Sequence, residues 1–432
     1  MAGIAIKNAT VLTFDADETI IEVGDIGIEG SEIVYVGESG GAGRAEMTID
    51  GGGCVALPGF VNAHTHLAMT LMRGFADDMR VQEWLEQMIW PTEERLQEGD
   101  VYWGAMLGIV EMIRSGTTCF NDMYWAFDET LRAVIESRIR ACPSGVLIGV
   151  HPRAEEHLAQ AIDFVRQCRE DAHERVVPMF GPHAPYTCPD AMLKRVLAAA
   201  QELEAGIHIH ISETEAEVEG SLREHGKTPV ERFRDLGLFD VHVLAPHCVH
   251  PTDSDIDVLA EHRVGVAHNP GSNMKLASGI APVPEMLRRG VIVGIGTDGA
   301  ASNNNLDMLE EARLAALLHK VASGDPTVIS AYEALAMATR ESARALGIFH
   351  EVGSIEVGKR ADVILVDLDQ AHLTPRHNVV SHIVYAARAS DVVTTIVHGD
   401  VLMRDRELTA LDEGQIIREA SRRAKRLVEG TG

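Results

Sequence analysis

The hydrophobic pattern changes character twice along this chain. From residue 3 to about 56, apolar residues come in short runs, Ile4-Ala5-Ile6, Ile26-Gly27-Ile28 and Ile33-Val34-Tyr35-Val36, separated by glycine-rich turns. That texture predicts short β-strands. It returns from about 354, in Ala361-Asp362-Val363-Ile364-Leu365-Val366 and in Val392-Val393-Thr394-Thr395-Ile396-Val397. Between the flanks, apolar runs at 55–61, 117–122, 139–148, 176–182, 206–211, 241–246, 264–268 and 291–297 alternate with helical patterns, among them 101–115, 190–204 and 308–322. Eight strands with helical crossovers predict a parallel (β/α)8 barrel. The expected fold is therefore α/β: a TIM-type barrel over 57–353, with a small β-sandwich domain that the flanks 1–56 and 354–432 build together. A doubly wound sheet competes, but no GxGxxG follows the first strand to open a helix. The charged amphipathic segment at about 413–429 predicts a helix packed on the surface.

Polar residues of metal-binding type follow the ends of these runs. His64-Thr65-His66 closes the first, just after the break at Pro58-Gly59. Side chains two apart on a strand share a face, roughly 6–7 Å apart along it, so two imidazoles aim at one point. An isolated histidine reads best as a satisfied core residue. Two on one face, joined by His208 and His210 and by Asp298 in Gly296-Thr297-Asp298-Gly299, shift the balance to a metal. Of His208 and His210, one would be a ligand and the other sit a layer deeper. Asp298 could be a turn residue, the common use of Asp-Gly, or a ligand at the end of the eighth strand. Three histidines and one aspartate leave a divalent ion room for a water. Such a water needs a proton acceptor and the leaving group a donor, needs that Glu213 and His247 fit. His247 has His250 nearby, one for the site and one for the scaffold. Glu215, Glu217 and Glu219 read as solvated loop acids. No lysine ends a middle strand, which speaks against a carbamate-bridged pair of metals.

Composition narrows the class further. The net charge of -27 argues against nucleic acid or anionic membrane as partner. The six cysteines are scattered with no CxxC, as in a reduced cytosolic enzyme. The N-terminal residues Met1–Lys7 lack a basic segment followed by an apolar one, and no apolar run reaches membrane-spanning length. The expectation is a soluble cytoplasmic protein that assembles as a homo-oligomer.

The segments Phe60–His66, Gly181-Pro182-His183, His210-Ile211-Ser212-Glu213-Thr214, His247-Cys248-Val249-His250, Asn269–Leu276 and Gly296–Asn304 stand in a characteristic order. In that order the chain resembles the amidohydrolase superfamily, and most closely its 5-methylthioadenosine/S-adenosylhomocysteine deaminases, over almost its whole length. The resemblance implies one zinc ion per chain, held by His64, His66, His210 and Asp298. It implies Glu213 as acid/base beside the purine N1, His247 and Asp298 orienting the water, and purine contact by His183. It further implies ribose contact by Glu93, with Trp84 nearby. The substrate would be an adenine nucleoside, losing its 6-amino group as ammonia. The family grips the homocysteine carboxylate with two arginines. Here Arg153 matches the second while Gly145 stands where the first belongs, so neutral 5′ substituents are expected to rival S-adenosylhomocysteine unless another arginine, such as Arg140, swings in. The rivals are a guanine deaminase or s-triazine hydrolase on the same barrel, and a catalytically inactive barrel serving as scaffold. The H-x-E with P-C-x-x-C pattern of the other zinc deaminases is absent.

Overall fold

In the computed structural model, described for residues 2–170 and 173–429, two sheets divide the strands between them. Eight parallel strands follow the chain in order around a barrel: Phe60–Thr65, Thr117–Tyr124, Arg140–Leu147, Met179–Pro182, Gly206–His208, Val243–Pro246, Gly265–His268 and Ile292–Ile295. The first and eighth meet through the Asn62 side chain and a backbone bond. The Asn62 amide donates to Thr297 Oγ1 at 2.7 Å and its carbonyl accepts the Thr297 N–H at 3.1 Å, while the Asp298 N–H reaches the His64 carbonyl at 3.0 Å.

The second sheet has nine strands and joins the two flanks. Cys54–Pro58 runs antiparallel to Val363–Asp367, with Leu57 opposite Ile364. The opening strand Ala2–Leu12 pairs along its first half with Ala45–Asp50 and along its second with Cys54–Pro58, so the sheet splits there. Ile6, Val11, Ile26, Ile28, Val363 and Ile396 fill its interior.

The apolar run at 55–61 belongs to both sheets. Pro58 still faces Val363 in the flanking sheet, whereas Phe60 already pairs with Thr117 in the barrel. Gly59 makes the crossing possible, since a Cβ there would lie 2.1 Å from the Thr118 side chain. The helices fall where the periodicity places them, at Asp100–Ser115, Asp190–Glu202 and Met308–Ser323. In the first, Val101, Ala105, Ile109 and Ile113 repeat every four residues on the buried face. The terminal helix Glu413–Val428 docks on that helix through Arg423 Nη1, 2.7 Å from the buried Asp100 carboxylate. Between the first strand and Asp100, the segment 67–93 breaks into short helical turns that carry Trp84 and Glu93 over the barrel mouth. No helix among the described residues is long and apolar enough to cross a membrane.

Candidate metal centre and active site

His64 lies at the end of the first strand and His66 just beyond it, His210 follows the fifth and Asp298 the eighth. These chain segments converge because parallel strands bring their C-terminal ends to one face. Each imidazole commits its δ nitrogen elsewhere. His66 Nδ1 donates to the Met123 carbonyl at 2.7 Å, and His210 Nδ1 to the His183 carbonyl at 2.6 Å. His64 Nδ1 meets His208 Nε2 at 2.8 Å, and His208 Nδ1 meets Ser144 Oγ at 3.2 Å. Ser144 in turn donates to the Asp122 carbonyl at 2.7 Å, which leaves its oxygen to accept from His208 and sets the direction of the whole chain of bonds. His208 is thus the deeper histidine of its pair, and it orients His64.

With the δ nitrogens occupied, the ε lone pairs face one another. Asp298 Oδ1 lies 3.3 Å from both His64 Nε2 and His66 Nε2. Donors about 2.0–2.1 Å from a tetrahedral ion stand about 3.4 Å apart, so this spacing is that of ligands around one centre. His64 Nε2 is buried without a hydrogen-bond partner, a polar atom that a metal would satisfy. His64, His210 and His247 also offer nitrogens within 4.8 Å of one another. Burial, the main influence, pushes the His64 imidazole down to about 3, so it stays a neutral donor. Burial works to raise the Asp298 carboxyl, but His64 and His66 hold it well below the usual range. Its second oxygen accepts Ser272 Oγ at 2.6 Å and Ser302 Oγ at 2.8 Å. The donor set fits a divalent metal.

Glu213 and His247 stand beside these donors, with Glu213 Oε2 4.0 Å from His247 Nε2. His247 Nδ1 donates to Asn273 Oδ1 at 2.9 Å, which turns Nε2 toward the site. Burial raises the Glu213 carboxyl; burial opposes charge on His247, yet the Glu213 and Asp298 carboxylates raise it. His250 is the scaffold member of its pair and meets the Ser278 carbonyl at 2.6 Å. Ser212, His247 and Asp298 all have left-handed backbone, with φ of 53°, 71° and 58°. Non-glycine residues rarely adopt that conformation, and it concentrates at functional sites.

Glu217 departs from the sequence reading. It is a partly buried brace rather than a solvated acid, and its carboxylate accepts the N–H groups of Ser212 at 2.6 Å and Glu213 at 3.1 Å. Burial and the neighbouring Glu213 push its carboxyl to about 8.

The pocket above the donors is lined by Trp84, Glu93 and His183 together with apolar residues of the second and third strands. Glu93 accepts the Trp125 indole N–H at 2.9 Å. His183 Nδ1 pairs with Thr187 Oγ1 at 3.0 Å. The structure does not bring Arg153 into this group. Its side chain is 60 % exposed and pairs with Glu156 at 2.6 Å. Gly145 faces away from the pocket, since a Cβ there would lie 2.3 Å from the Phe127 ring; Val146 and Ile148 line the pocket instead. Arg140 cannot swing in. It sits fully buried at the opposite end of the third strand, with Nε 3.0 Å from Asp362 and Nη1 2.9 Å from Glu351.

A parallel barrel with this histidine–aspartate cluster at its C-terminal face defines a metal-dependent hydrolase. Comparison with known proteins gives the family. The amidohydrolase family model matches residues 55–402, and the chain belongs to that family. It is 52 % identical over 431 residues to the 5-methylthioadenosine/S-adenosylhomocysteine deaminase of Pelotomaculum thermopropionicum, covering 99 % of each chain. It is 50 % identical over 430 residues to the 5′-deoxyadenosine deaminase of Methanosarcina mazei, again covering 99 % of each. Among solved structures, an adenosine deaminase from Xanthomonas campestris with bound zinc superimposes with a TM-score of 0.95 at 36 % identity, over 99 % of this chain and 98 % of that one.

Proposed function

We propose that this protein hydrolyses the 6-amino group from adenine nucleosides, giving the inosine analogue and ammonia, with one zinc ion per chain held by His64, His66, His210 and Asp298. The observation that carries the reading is the pairing of Glu213 with His247, 4.0 Å apart, beside those four donors. The deaminase names of relatives at 52 % and 50 % identity support the substrate class. The barrel from Phe60 to about 353 is the catalytic unit, and the two flanks form its companion. The six free cysteines suit a reducing cytoplasm.

A divalent ion held by these four residues would lower the pKa of water toward neutrality. The protein groups then divide the proton transfers. Glu213, whose carboxyl burial raises, gives its proton to N1 as C6 accepts the attacking oxygen. Asp298 and His247 take the proton of the attacking water and pass it to the departing amine. The C6–N bond breaks, ammonia leaves, and the hydroxyl proton left on the C6 oxygen returns to Glu213 as the carbonyl forms. His183 contacts the purine and Glu93 accepts from the ribose hydroxyls, with Trp84 nearby. Val146 and Ile148 give the third strand's side of the pocket an apolar lining, and Arg153 is turned to solvent.

Ammonia release from a substrate panel tests this. Adenosine, 5′-deoxyadenosine and 5′-methylthioadenosine are expected to be deaminated. S-adenosylhomocysteine should be no better, because it lacks a charge-assisted bond worth roughly 1.5–3 kcal/mol, or about one to two decades in kcat/KM. Release from guanine or an s-triazine, with none from the nucleosides, would overturn the reading.

A further inference from the structure

The groups placed around the reacting atoms sit on separate loops, and one buried carboxyl joins two of them. Ser272 and Asn273, which hold Asp298 and His247, lie on the short helix Pro270–Lys275. Asp298 lies on the loop 297–303 after the eighth strand. Glu311, on the helix Met308–Ser323, is 0 % exposed and reaches both. One of its oxygens accepts the Gly271 N–H at 2.9 Å, and the other accepts Asn303 Nδ2 at 2.9 Å. The same Asn303 amide also donates to the Thr297 carbonyl, at 2.9 Å, one residue before Asp298.

The placement is costly, which argues for a purpose. A buried carboxyl is usually paired with a cation, and among the described residues no lysine or arginine pairs with Glu311. Burial raises its carboxyl, while the Gly271 N–H and the Asn303 amide favour the ionised form that accepts both bonds. Gly271 is fitted against it, since a Cβ there would come within 2.3 Å of Glu311 Oε1 and 2.5 Å of Asn303 Oδ1. An apolar side chain would fill the space without that penalty, but it would not fasten the two loops.

We propose that Glu311 is a positioning residue: by tying Gly271 to Asn303 it fixes the segment bearing Ser272 and Asn273 against the loop bearing Asp298, and so aims Asp298 and His247 together. The inference rests on the proposed roles of those two residues. It assigns Glu311 no contact with substrate.

Glu311→Gln cuts one tie at nearly constant shape. The amide oxygen can accept from one donor, but its NH2 then faces the other. Asn303 cannot turn its amide round without abandoning the Thr297 carbonyl. Asn303→Ala severs the same tie from the other side. With adenosine as substrate, kcat of Glu311→Gln should fall about 10²-fold, the scale of a displacement near 1 Å. KM should stay within about twofold, because Glu93, Trp84 and His183 lie on other elements. Zinc retention against a chelator should weaken by about 10-fold or more, as when a ligand loses its orienting partner. Combining the two substitutions should cost little beyond either alone, since both break one link. Parental kcat in Glu311→Gln, undiminished zinc retention, a KM that rises as kcat falls, or costs that multiply in the double variant would each overturn the inference. Failure of the parent enzyme to deaminate any adenine nucleoside would instead overturn the proposed function.

Discussion

Each residue at the centre of the site is oriented by a second one, and these orienting bonds carry much of the chemistry. His64 faces the site through Nε2 because His208, Ser144 and the Asp122 carbonyl form a chain that takes up its δ nitrogen. In the proposed reaction Glu213 moves a proton, since it stands outside the proposed donor set and burial raises its carboxyl. Glu213→Gln should therefore keep its zinc but lose about 10²–10⁴-fold in kcat, the usual contribution of a general acid–base group. Elemental analysis beside a rate measurement checks both halves, and a near-normal rate would reduce Glu213 to a loop acid. The histidine pair 64/66 was legible because strand periodicity puts alternate residues on one face. Glu217 was not, since spacing alone cannot reveal that a carboxylate folds back onto the N–H groups of Ser212 and Glu213.

Strands and helices followed the hydrophobic pattern where one sheet claimed the whole run. The run at 55–61 was shared, because Gly59 lets the chain pass from one sheet to the other, so its first half left the barrel. The third strand shows the limit of motif alignment. Counting residues put Gly145 in place of a substrate-gripping arginine, but the pleat turns position 145 onto Phe127 and presents Val146 and Ile148 to the pocket. At the far end of the same strand, Arg140 ties the barrel to Asp362, beside the flanking sheet. Arg140→Ala would leave that carboxylate buried and unpaired, at a cost of about 3–5 kcal/mol. Denaturant unfolding should show the loss, and a change below about 1 kcal/mol would mean that the pair is only an exposed-type contact.

For the molecule as a whole, the barrel gathers residues from 64 to 298 onto one face, and the flanks close into a sheet that holds its first strand. The order of histidine and aspartate motifs was readable because each follows its own apolar run, and in a parallel barrel such ends converge. The supporting network was not readable. Ser272, Ser302, Asn273 and Glu311 are ordinary polar residues in sequence and gain their meaning only from the loops that meet in space. The central claim is that one metal, held by four donors on this face, is required to deaminate adenine nucleosides. Stripping the metal with a chelator and titrating zinc back while following ammonia release from adenosine tests it most directly. Activity should vanish on removal and return in proportion to zinc, reaching its plateau at about one ion per chain. Full activity without metal, or a plateau only at two ions per chain, would contradict the account.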